Sequence, residues 1–168
     1  LPGHAKCTLH EADDYITGCL EDEGYRVEKE GVRVQAYQPD RSSPESRRSR
    51  PPHPNDPWFT AHNIYAWKSG TEIPEEVIIL CAHKDSNSWC DSPGAHDNAV
   101  GTAALMAVAR VLADVATRRC IWFLFCNEGH APRTSKKAAE ELRKPRKHIV
   151  GVFNTHCIGG KSTADIDA

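Results

Sequence analysis

The sequence predicts an α/β fold: a three-layer α/β/α sandwich around a mostly parallel mixed sheet. Three observations carry this. Residues 77–82 (Val-Ile-Ile-Leu-Cys-Ala) and 120–126 (Cys-Ile-Trp-Phe-Leu-Phe-Cys) are continuous apolar runs, the pattern of strands buried on both faces. Residues 149–153 (Ile-Val-Gly-Val-Phe) form a third such run. Segments of helical period separate them, and strand–helix–strand–helix–strand order implies right-handed crossovers with helices on both faces.

The elements follow in order. Thr8-Leu-His-Glu11 reads as a capping box opening a helix. Leu9, Ala12, Ile16, Cys19 and Leu20 continue it at helical spacing, and Gly24 is placed to end it. Residues 32–37 alternate as a half-buried strand should. Residues 39–57 are rich in Pro, Ser and Arg and are expected to be a flexible, solvated loop; the prolines argue against a core strand. Residues 58–67 form a strand and 68–74 turn the chain. Asp97 opens a long helix to about Val115, with Ala104, Val108, Val111, Leu112 and Val115 as its packing stripe. Residues 135–143 are a short charged helix stopped by Pro145. The first strands add an antiparallel edge.

At 168 residues the chain is expected to be one domain, burying about 70% of its unfolded surface. Its 21 Lys plus Arg against 23 Asp plus Glu give a formal charge of −2. That balance supplies no electrostatic attraction to nucleic acid or an anionic membrane. No apolar run approaches the roughly 18 residues of a bilayer span. The chain starts at Leu1 without an initiator Met or a signal-peptide pattern, and is expected to be processed or a fragment. Seven cysteines leave at least one unpaired. Cys81, Cys120, Cys126 and Cys157 lie in or beside apolar strands and read as buried small hydrophobes.

Chemistry concentrates where the strands end. In open α/β sheets, ligands bind outside the carboxyl ends of the strands. His83 and Asp85 follow the first run, Glu128 the second and His156 the third, while Asp97 stands at a helix start. Imidazoles and carboxylates converging on one sheet edge make a metal site or an acid–base site. Asp85 is close enough to be the carboxylate that fixes the His83 tautomer. Asp97 serves either as a helix N-cap or as a metal-bridging carboxylate. Glu128 suits a general base. His156 is a ligand or a loop residue, and His96 and His130 read as surface or supporting residues.

Cys81-Ala-His-Lys-Asp-Ser86, Gly94-Ala-His-Asp-Asn-Ala-Val-Gly101, Phe125-Cys-Asn-Glu-Gly129 and Phe153-Asn-Thr-His-Cys-Ile-Gly159 occur in that order. With residues 63–71 before them, they resemble the zinc-dependent aminopeptidase family that includes bacterial leucyl aminopeptidases and plasma glutamate carboxypeptidase. The resemblance implies two zinc ions about 3.5–4 Å apart that polarise the scissile carbonyl and activate water. It makes His83 a zinc ligand, Asp97 the bridging carboxylate, Asp85 the group orienting His83 and Glu128 the catalytic base. The substrate would be a peptide or aminoacyl compound with a free amine. Secretion or a periplasmic location is suggested by the resemblance alone.

The chain departs from the family pattern in three ways. Gly129 stands where a second glutamate should ligate zinc, His156 stands where an aspartate ligand should be, and the portion carrying the family's last His ligand is missing. His83, Asp97 and His156 remain as ligands, so at most one tightly held zinc is expected. The resulting expectation is a metal-dependent exopeptidase, with a catalytically impaired binding or scaffold module as the alternative. A single-zinc, glutaminyl-cyclase-like enzyme is a minor one. Truncation after the last strand would leave an uncovered edge, so self-association is expected.

Overall fold

The computed structural model describes residues 7–36, 38–39, 49–86, 93–143 and 148–160. Helix α1 (Thr8–Asp22) comes first. The capping box does not form: Cys7 occupies the N-cap and no side chain caps the helix. The other end behaves as expected. Gly24, at φ 81°, lets its own N–H reach Glu21 O (2.9 Å) while Tyr25 N–H reaches Leu20 O (3.0 Å). These two bonds make a Schellman stop and aim the chain into the sheet.

Strand β1 (Arg26–Ala36) starts six residues earlier than the alternation from residue 32 suggests. Its first half carries Glu28, Lys29 and Glu30, which look like a loop in sequence but pair along β4 (Phe59–Lys68). Between them, β2 (Gln38–Pro39) and β3 (Ser49–Arg50) form a separate two-stranded ribbon, a short pairing inside the expected loop; residues 40–48 lie outside the described residues. Asp56 and His53 are tied down there, because Gln35 Nε2 donates to both carbonyls (2.7 and 2.9 Å).

Strands β5 (Ile73–His83) and β6 (Arg119–Cys126) are the buried runs, and they pair in parallel. With β7 (His130–Ala131) and β8 (His148–Asn154), the six-stranded order is β7-β1-β4-β6-β5-β8. The sheet is mixed. Strands β6, β5 and β8 are mutually parallel, and the antiparallel part comprises β4, β1 and β7, more than an edge. Strand β8 is not buried as its apolar run suggests. It pairs only with β5 among the described strands, and Val152 and Phe153 are each 61% exposed.

Helices α1 and α2 (Val100–Leu112) cover one face, where Ile16, Leu20, Leu105 and Ala109 pack on Ile64, Phe123 and Phe125. Helix α3 (Thr134–Leu142) covers the other, with Ala138 and Leu142 against Tyr65, Ile79 and Leu124. The expected stripe of α2 is corrected. Its buried face is Gly101, Thr102, Leu105 and Ala109, while Val108, Val111 and Val115 are exposed. Small residues at 101 and 109 allow the helix to lie close to the sheet and the β8 exit, which the bulkier valines would prevent. Asp97 does not cap α2 either. It sits at φ −123°, ψ 88° in a π-type turn (Ala95–Ala99), with a cis peptide bond to Asn98.

Candidate metal centre

The exits of β5, β6 and β8 and the turn before α2 meet at one end of the sheet. His83, the last residue of β5, is buried. Its Nδ1–H donates to Asp85 O (3.0 Å) and Oδ1 (3.2 Å). That fixes the tautomer, leaving the Nε2 lone pair facing outward, as a metal ligand requires. His83 Nε2 lies 3.0 Å from Asp97 Oδ1, and His156 Nε2 lies 3.3 Å from the same oxygen. The two imidazole centroids are 5.2 Å apart. One donor atom from each of the three residues falls within 4.8 Å of the others. The Asp97 and His156 side chains are 48% and 49% exposed, so the cluster opens to solvent on one side.

Asp85 is spent on holding this geometry. Beyond His83, its carboxylate accepts the N–H of Glu128 (2.9 Å) and of Gly129 (2.8 Å). His130 Nδ1 lies 2.7 Å away as a charge contact rather than an aligned hydrogen bond. Burial acts to raise the Asp85 carboxyl, but the partners His130, His83 and the Glu128 N–H outweigh it and hold it well below the usual carboxylate range. In His83, desolvation acts to lower the imidazole, and the Asp85 bonds win, raising it. Asp85 therefore ties the β5 exit to the β6 exit and is an orienting group.

Glu128 lies in the same cleft, about 460 Å³, bordered by His83, Asp97, Arg133 and His156. Its carboxylate is not consumed by a strong bond: Arg133 Nε is 3.5 Å from Oε2 and Cys126 Sγ 3.8 Å from Oε1. The structure thus brings together His83, Asp85, Asp97, Glu128 and His156. His96 is exposed, and His130 supports Asp85.

Sequence reasoning missed the residues that bind the segments together. Asn98 is buried; its Nδ2 donates to His83 O (3.2 Å) and Thr155 O (2.9 Å), and its Oδ1 accepts from Cys157 N (3.0 Å). Thr102 Oγ1 donates to His83 O (3.0 Å), and Thr155 Oγ1 to Gly101 O (3.0 Å). A Cβ on Gly101 would lie 2.3 Å from Asn98 Oδ1 and 2.4 Å from Thr155 O, so only glycine fits. The signal was the Asn98–Gly101 spacing itself, small and amide side chains beside a ligand candidate. Cys81 and Cys157 also need correction, since both are half-buried rather than core thiols.

Behind the site, the Lys84 side chain points to the opposite side of the β5 exit and is fully buried. Its Nζ is 2.6 Å from Asp13 Oδ1 on α1 and 2.9 Å from Asn127 Oδ1. Asp13, His62 and His10 form a second group of donor atoms, with His62 Nδ1 2.9 Å from Asp13 Oδ2. Lys84 already supplies the cation there.

Imidazole and carboxylate donors gathered at the parallel-strand exits of an α/β sandwich make a candidate metal-binding site. The sequence pattern of Peptidase family M28 matches residues 63–166, and the chain belongs to that family. A probable zinc metalloprotease of Pyrenophora teres f. teres is 32% identical over 167 residues, covering 94% of this chain and 32% of the relative. That of Pyrenophora tritici-repentis is 31% identical over the same shares. The chain thus spans about a third of the length of these curated relatives. Among solved structures, an aminopeptidase from Aneurinibacillus sp. strain AM-1 superposes with a TM-score of 0.70 at 15% identity, over 93% of this chain and 66% of that one. A Zn-dependent exopeptidase from Parabacteroides distasonis gives 0.69 at 18%, over 94% and 56%. A glutaminyl cyclase from Fimbriiglobus ruber gives 0.63 at 14%, over 89% and 53%. At these identities the structural likenesses establish the fold. Both Pyrenophora relatives are named probable zinc metalloproteases.

Proposed function

We propose that this chain carries the metal-binding part of a zinc-dependent exopeptidase of the aminopeptidase type, holding one zinc ion. The observation that supports it is the convergence of His83 Nε2, Asp97 Oδ1 and His156 Nε2 at 3.0 and 3.3 Å. A tetrahedral zinc with bonds of about 2.0–2.1 Å has ligand–ligand edges of roughly 3.3 Å, so the two edges to Asp97 Oδ1 match one ion, with the third pair within 4.8 Å. Gly129 contributes only its N–H, and that goes to Asp85.

Zinc at this position would polarise a substrate carbonyl and acidify water. The chain's own groups do the rest. Asp85 keeps the His83 Nε2 lone pair presented to the ion. Glu128, whose carboxylate has only weak contacts, takes up a proton and returns it to the leaving amine. Membership of Peptidase family M28 and the likeness to an aminopeptidase favour a peptide or aminoacyl compound engaged through its amino end as the substrate class.

Aminoacyl reporter hydrolysis by the zinc-loaded chain tests this, with Glu128→Gln as the comparison. We expect zinc-dependent turnover that falls at least about 100-fold in Glu128→Gln. Equal rates in the two proteins, or none in either, would remove the peptidase reading. Absence of turnover with zinc retained would favour a binding module on this fold, a reading that the side-chain loss at Gly129 supports.

A further inference from the structure

We propose that Arg133 is a specificity-determining residue that binds a carboxylate on the leaving-group residue of the substrate. This rests on the peptidase reading above and narrows its substrate class.

Position is the first argument. The strand order β6-β5-β8 spreads the cleft across three strand exits. His83, Asp97 and His156 gather on the β5 and β8 side. Glu128 follows β6, and Arg133 and Ser135, at the start of α3, line the cleft with it. A substrate carbonyl held at the three donor residues therefore has Glu128 beside it and Arg133 beyond. In the proposed reaction Glu128 returns its proton to the leaving amine. The part of the substrate that reaches Arg133 is then the residue carrying that amine.

Availability is the second. Arg133 is the only Lys or Arg lining the cleft among the described residues. Its one ion pair among those residues runs from Nε to Glu128 Oε2 at 3.5 Å, longer than the roughly 2.7–3.2 Å of an N–H···O bond. The side chain is 65% exposed, so packing does not pin it to Glu128. Both Nη groups are without an ion-pair partner among the described residues.

Chemistry is the third. The planar fork of a guanidinium matches a carboxylate through two parallel N–H···O bonds, which a water-exposed lysine does not reproduce. The amino end of the nine-residue helix α3, on the same wall, also favours negative charge. Two sources present this group: the free α-carboxylate of a dipeptide, or an Asp or Glu side chain on the leaving residue. Because Arg133 is largely exposed, solvent and salt screen the pair, and the expected preference is about three- to tenfold.

Three substrates of the zinc-loaded 168-residue chain test this: leucyl-glycine, leucyl-glycine amide and leucyl-aspartate amide. At least one of the two carboxylate-bearing substrates should exceed leucyl-glycine amide about three- to tenfold in kcat/KM, mainly through a lower KM. A preference confined to leucyl-glycine identifies the α-carboxylate as the group read, and one confined to leucyl-aspartate amide identifies the side chain. Raising salt from about 0.05 to about 0.5 M should shrink the preference. Arg133→Met should bring it to about one, with Arg133→Lys in between. An effect of these variants that acts through Glu128 scales all three rates and cancels in the ratio. Equal kcat/KM for all three substrates in the wild type overturns the proposal and leaves the peptidase reading standing. A preference that is indifferent to salt, or that survives in Arg133→Met, does the same. No turnover of any of the three overturns both. The wild-type ratio and its salt dependence need no variant, so a misfolded Arg133→Met protein does not shelter the idea.

Discussion

Replacing Gly101 with Ala sets two effects against each other, and the structure says which wins. On helix propensity alone, Gly→Ala inside α2 stabilises by about 1 kcal/mol. The added methyl, however, would sit 2.3 Å from Asn98 Oδ1, 2.4 Å from Thr155 O and 2.6 Å from Asn98 Nδ2. A backbone carbonyl and a buried amide with three bonds cannot both withdraw. Overpacking costs about 1–3 kcal/mol. Losing one or two of the Asn98 bonds with their partners left buried adds about 1–3 kcal/mol. The net expectation is destabilisation by about 1–5 kcal/mol. For a chain this long that corresponds to a melting temperature lower by roughly 2–20 °C. Thermal and urea unfolding followed by circular dichroism measures it, and zinc affinity should fall with it because Asn98 anchors the His83 carbonyl. An unchanged or raised melting temperature would show that α2 rides freely over the β8 exit, and the close-packing argument would be wrong.

Asp85→Asn should cost about 3 kcal/mol or more at neutral pH, since it leaves His83 and His130 facing a neutral amide. The folded Asp85 carboxyl lies below its unfolded value of about 3.9, so its contribution is present above that pH and is lost as pH falls through the folded value. The wild-type advantage over Asp85→Asn should therefore shrink in urea melts taken below about pH 4; a constant gap would contradict the assignment. Lys84→Met should destabilise by about 3–5 kcal/mol by leaving the buried Asp13 carboxylate with His62 in place of its lysine counter-ion, and adding Asp13→Leu should recover part of the loss. If the double variant is no better than the single, the two side chains are not coupled. Strand β8 presents an apolar edge without charged residues at positions 149–153, so we expect concentration-dependent self-association that Val152→Lys reduces in light scattering. A monodisperse monomer at all concentrations would rule that out.

Much of the architecture was legible because β5 and β6 are apolar on both faces, and such runs have few alternatives. The candidate site followed from the rule about strand exits and from the motifs around His83 and Asp97. What escaped depended on contacts across the chain. Helix α2 is apolar nearly all round, so periodicity could not choose between the Val108–Val111 face and the Leu105–Ala109 face; the tight approach at Gly101 decided it. Asp97 looked like a helix cap because sequence cannot show the kink before Val100. Cys157 looked like core because it follows an apolar run, although β8 is itself half-open. The charged start of β1 hid a strand whose outer side simply faces water.

The Lys84–Asp13 contact has a consequence for how the molecule comes apart. Helix α1 could otherwise fray alone, as terminal helices do. Here, lifting α1 from the sheet would leave the Lys84 ammonium without its counter-ion, between His83 and Asp85 at the β5 exit. Terminal opening and site opening should therefore be one event. In hydrogen exchange, the amides of α1 and of the β5 exit should share a single protection free energy and behave as one cooperative unit, with the first helix acting as the latch on the site.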